Sequence, residues 1–62
     1  MFLGKRIKEI REEKGLLQRQ LAAELEIDSP MYSKIERGER RAKREQVIKL
    51  ADLLETDKDE LL

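Results

Sequence analysis

A chain of 62 residues with 14 basic and 14 acidic side chains, no cysteine and no histidine makes one small domain, since at this size only about 60% of the unfolded surface is buried and a second core does not fit. A disulfide staple and a thiolate or imidazole metal site are excluded, and catalysis would need a carboxylate pair or activated lysine in a pocket that one small core hardly provides, so neither an enzyme nor a cofactor is expected. No apolar run approaches the roughly 18 residues of a membrane span, and residues 1–8 lack the apolar centre of a signal peptide, so the chain is expected to be cytoplasmic, with no membrane partner.

With 45% charged residues and only Phe2 and Tyr32 aromatic, the composition suits a small all-α domain rather than a sheet. Leu3, Ile7 and Ile10 recur at helical spacing with charged residues between them, which predicts a first helix over about 3–14. Lys14 and Gly15 suit its C-terminus, because a cation faces the negative end of the dipole and glycine accepts a left-handed turn. Phe2 and Leu16 are expected to close the ends of the core. A second helix is expected over about 17–25, burying Leu21, Ala22 and Leu25, with Ala22 small enough to let another helix cross closely. The chain then turns at Glu26, Ile27 and Asp28, where a left-handed Glu26 would cost on the order of 1 kcal/mol.

Asp28 caps a third helix over 29–37, with Ser29 and Pro30 in its first turn and Gly38 as its stop. Projected at about 100° per residue, Met31, Tyr32 and Ile35 share a core side, with Asp28 and Glu36 towards its edge. Ser29, Pro30, Ser33, Lys34 and Arg37 share the other side, which is small, hydrogen-bonding and positively charged. A basic loop, Glu39 to Arg44, precedes a fourth helix over about 44–55 with the stripe Val47, Leu50, Ala51 and Leu54. Asp57 and Glu60 form a candidate capping box for a fifth helix over 57–62.

The formal net charge of +0 argues against a polyanion partner until the charges are placed. Residues 1–20 carry 6 basic and 3 acidic groups and residues 32–46 carry 6 and 3, whereas 21–31 carry 0 and 3 and 47–62 carry 2 and 5. Two basic blocks can therefore join into one patch for phosphates, although a chain this rich in charge also produces such blocks without a partner.

Gln18, Leu21, Ala22, Ile27, Ser33, Ile35, Glu36, Arg37 and Gly38, flanked by Arg11 and Gly15 before and Ala51 and Leu54 after, resemble the helix-turn-helix family of phage repressors, Cro proteins and XRE regulators. The resemblance runs from about Leu3 to Leu62 and implies a five-helix, lambda-repressor-like domain. It implies a bacterial or phage regulator that places helix 29–37 in the major groove of double-stranded DNA. Base contacts are then expected from Ser29, Pro30, Ser33 and Lys34, with Lys34 suited to guanine and Pro30 to a thymine methyl or to shape. Phosphate contacts are expected from Gln18, Arg37, Arg40, Arg41, Lys43 and Arg44. Arg11 and Glu36 are expected to form a structural salt bridge, and Tyr32 to lie in the core with its hydroxyl at the rim.

The family generally dimerises on pseudo-palindromic sites, and Ile48, Leu53, Leu61 and Leu62 are the surplus apolar residues for that contact, although Leu53 and Leu61 would equally suit partial burial in one protomer. Leu17 stands where a small hydroxyl cap is common, Glu26 where glycine is common, and Ala42 where proline is frequent. A helical interaction module such as an antitoxin shares the fold, and so does the DNA-binding domain of a larger regulator or DNA-modifying protein. No small-molecule ligand is evident from the sequence.

Overall fold

The computed structural model describes residues 3–56, which form α1 (Leu3–Glu13), α2 (Gln18–Glu24), α3 (Ser29–Arg37) and α4 (Arg44–Leu53), with no strand among them. The expected fifth helix, with Asp57, Glu60, Leu61 and Leu62, lies outside the described residues, as does Phe2. Each boundary has a local cause. α1 stops as Gly15 turns left-handed at φ 70° and the Leu16 amide donates back to the Arg11 carbonyl at 3.0 Å. Leu17 offers no capping side chain to α2, and Gln20 supplies the compensation by accepting from the Leu17 amide at 2.7 Å. Lys43 and Gln46 repeat that arrangement at the start of α4, at 2.8 Å.

After α2 the chain turns at Glu26, which is left-handed at φ 60°. The Ile27 amide donates to the Ala22 carbonyl at 3.0 Å, which holds the turn closed despite the side chain. At α3 the Asp28 carboxylate accepts from the Met31 amide at 2.8 Å, and Gly38 closes the helix at φ 80°. α4 is shorter than the expected 44–55, because a second left-handed acid, Glu55 at φ 55°, ends it and lets the Thr56 amide return to the Ala51 carbonyl at 2.9 Å.

Ile7, Ile10, Leu21, Ala22, Leu25, Tyr32, Val47, Leu50, Ala51 and Leu54 form one buried cluster, with Leu3, Leu16, Ile27, Ala42 and Leu53 packed partly against it. Full burial of a leucine such as Leu50 or Leu54 contributes about 1.5–3 kcal/mol. α3 packs against both α1 and α2, so the helix that presents the polar face is held from two sides. The α1 contact is close at Gly4. A Cβ there would lie 2.5 Å from the Glu36 carbonyl oxygen and 2.8 Å from its carbonyl carbon, and against the Ile35 carbonyl as well. Only glycine lets α1 approach the last turn of α3 this closely.

Candidate nucleic-acid interface

Behind the polar face, α3 is fastened by one carboxylate. Glu36 is 3% exposed, and Arg11 holds it in a fork, with Nε donating to Oε2 at 2.7 Å and Nη2 to Oε1 at 3.2 Å. The remaining Arg11 donor, Nη1, reaches the Leu16 carbonyl at 2.8 Å and ties the pair to the turn after α1. Gln18 Nε2 donates to Glu36 Oε1 at 3.0 Å. One acid on α3 thus gathers α1, the following turn and the start of α2. Burial pushes the Glu36 carboxyl up, but hydrogen bonding by Arg11 foremost, and by Gln18, outweighs it and holds the group below its ordinary value; the same pair raises Arg11.

Tyr32 corrects the expectation of a hydroxyl at the rim. The residue is 0% exposed, because a phenol is longer than a branched aliphatic and carries its oxygen into the interior beside Arg11 and Glu36. The hydroxyl has no well-formed hydrogen bond among the described residues. It is near enough to Glu36 to help lower that carboxyl, while its own proton is held more tightly, by burial first and by Glu36 second.

Towards solvent, Ser29, Pro30 and Lys34 are exposed and Ser33 is half-buried. Ser33 Oγ accepts from Arg37 Nη1 at 2.7 Å, and Arg37 Nε donates to Glu39 Oε2 at 2.6 Å. Arg37 therefore joins a candidate base contact to an acid that the sequence does not single out. Glu39 holds Arg37 protonated more firmly, and Arg37 lowers Glu39 in return. Arg40, Arg41, Lys43 and Arg44 are exposed between α3 and α4, and none makes an ion pair among the described residues. The tight turn after α3, in which the Glu39 and Arg40 amides both donate to the Lys34 carbonyl at 2.9 and 3.2 Å, starts this loop beside the polar face.

Gln18, an expected phosphate contact, also has a partner inside the protein. Its amide nitrogen is engaged by Glu36, so it ties the buried anchor to an open groove that it lines with Lys5, Lys8, Ser33, Glu36 and Arg37. Ile48 is 39% exposed, whereas Leu53 is half-buried against the core. Leu17, at the start of α2, is the other large apolar residue left exposed among the described residues. In the sequence Lys5 and Lys8 show only as part of the basic block 1–20, and Gly4 and Glu39 do not stand out, although a glycine inside a helical pattern is a local signal for the former. No cluster of potential metal ligands occurs among the described residues, and none of their helices is long and apolar enough to cross a membrane.

The sequence model of the helix-turn-helix family matches residues 7–61. No curated protein matches the chain. Among solved structures, the restriction-modification controller protein C.AhdI from Aeromonas hydrophila is similar at 35% identity and a TM-score of 0.83, over 97% of this chain and 87% of that one.

Proposed function

The chain belongs to the helix-turn-helix family of XRE-type DNA-binding transcription regulators, and from that membership we propose that it acts as a homodimer, inserting α3 into the major groove at each half of a pseudo-palindromic operator. The observation that carries this reading is the division of α3 into a buried, bonded back and an exposed polar front. A recognition helix has to present donors and acceptors at a fixed angle, and Glu36 supplies the fixing while Ser29, Pro30, Ser33 and Lys34 are left to meet bases. Arg37 and the cations Arg40, Arg41, Lys43 and Arg44 flank that front and suit phosphates, which position a domain without reading sequence. Gln18 joins them from α2 through the part of its amide that Glu36 leaves available.

The likeness to a restriction-modification controller protein supports a regulator over an antitoxin-type interaction module. Ile48, exposed on α4, is the described residue best suited to the contact between protomers, with Leu53 contributing its half-buried edge. Leu61 and Leu62 remain candidates for the same contact.

Selection from random double-stranded DNA tests the reading. Enrichment of one sequence with two related half-sites is expected, and equal recovery of all duplexes would contradict it. Charge reversal at Lys34 and Arg41 separates the alternative, because an interaction module would keep its function and a DNA reader would lose it. Sedimentation on the selected site should give two protomers per duplex, and a monomer at high concentration and on DNA would remove the dimer.

A further inference from the structure

The groove beside α3 contains two cations that the proposed interface does not use. Lys5 and Lys8 are exposed one turn apart on α1, and they line the groove together with Ser33 and Arg37 of α3 and with Gln18 and Glu36. The acids one turn further along α1 engage other residues. Glu9 pairs with Arg6 at 3.5 Å, and Glu12 approaches Arg11 at 4.0 Å. Neither lysine has a hydrogen bond or ion pair among the described residues. Glu36, the one acid lining the groove among the described residues, is already bonded to Arg11 and Gln18. The groove is thus left with uncompensated positive charge along α1, continuous through Gln18 and Arg37 with the face assigned to DNA.

We propose that Lys5 and Lys8 carry the DNA interface onto α1, each pairing with a backbone phosphate flanking the stretch of major groove that α3 occupies. The inference rests on the DNA-binding reading above. Two neighbouring ammonium groups repel one another until an anion approaches, and a strand of phosphates supplies anions in a row. A lysine serves a phosphate as a point charge, so these contacts add affinity and orientation and carry no base preference. Lys5 and Lys8 are therefore positioning residues.

The test is a salt titration of the wild type and of Lys5→Gln/Lys8→Gln on the selected operator. Removing two phosphate contacts should make the slope of log affinity against log salt shallower by about 1.8, equivalent to about a 12-fold smaller loss of affinity over a fourfold rise in salt. The ranking of operator variants should not change, and Lys5→Arg/Lys8→Arg should restore the slope. The single variants, each expected to remove about half of the effect, keep the test decisive if the double variant loses helicity. An unchanged slope in folded variants overturns the proposal and leaves the lysines to an acidic protein surface or to solvent. A wild type without salt-sensitive DNA binding overturns the underlying reading, and this inference with it.

Discussion

The two sides of α3 differ in how much of their chemistry is settled before any partner arrives. On the back, Glu36 accepts from Arg11 and Gln18 inside the protein, and Gly4 brings α1 against the carbonyls of Ile35 and Glu36. On the front, Lys34 and Pro30 are exposed, and the bonds joining Ser33, Arg37 and Glu39 are all made at the surface. Lys34 and Glu36 are only two residues apart, and a helix points such residues to nearly opposite sides. A buried fork fixes the angle at which the front is offered, which lowers the ordering cost of binding, while exchangeable surface bonds leave the front free to trade partners.

The largest effect expected from breaking this contrast is at Glu36. Glu36→Ala leaves Arg11 without its partner in a largely buried setting and should cost about 3–5 kcal/mol in chemical denaturation. For a domain of this length, whose total stability is roughly 3–9 kcal/mol, that is a third or more of the whole. The same group sets an acid limit. Because its folded value lies below the ordinary value of 4.5, the stability it adds is complete above that value and is lost as the pH falls through the folded value. Glu36→Gln, which keeps the shape without the titration, should flatten that part of the stability profile.

Gly4→Ala attacks the other half of the back. The added methyl meets backbone atoms rather than the end of a flexible side chain, so a loss of about 3 kcal/mol is expected, visible as a markedly lower melting temperature. At the turn between the two motif helices the sign reverses. Glu26→Gly relieves a left-handed side chain and should raise stability by about 1 kcal/mol in denaturant titration. A destabilised Glu26→Gly would mean that this glutamate holds the turn in a way its φ does not express.

The parts of this molecule that sequence makes legible are those with local causes. Helix 29–37 is readable to the residue because Asp28, Pro30 and Gly38 are chemical start and stop signals acting within one turn. The core is readable because Val47, Leu50, Ala51 and Leu54 repeat at helical spacing. Glu26 stands out because it occupies a place where the resembled family carries glycine, whereas Glu55 makes the same left-handed turn with no such signal. The Arg11–Glu36 pair is visible only through that resemblance, since nothing local says that residues 25 apart will meet. What stays hidden depends on neighbours from other helices. Gly4 matters because of α3, Gln18 turns its amide inward because Glu36 is there to accept it, and Tyr32 is deeper than a phenol's polarity suggests. Glu39 is hidden for a different reason: an exposed acid has many partners within reach, and only the structure identifies Arg37.

On the proposed reading, Glu36 fixes α3 while Lys34 reads with it. Affinities of the wild type and of Lys34→Ala for every single base-pair variant of the selected operator test this most directly. Lys34→Ala should keep wild-type stability within about 0.5 kcal/mol. It should lose discrimination at one base position in each half-site, by about 1–3 kcal/mol, while ranking all other positions as before. A uniform weakening across all sequences, or no change at any position, would contradict the account.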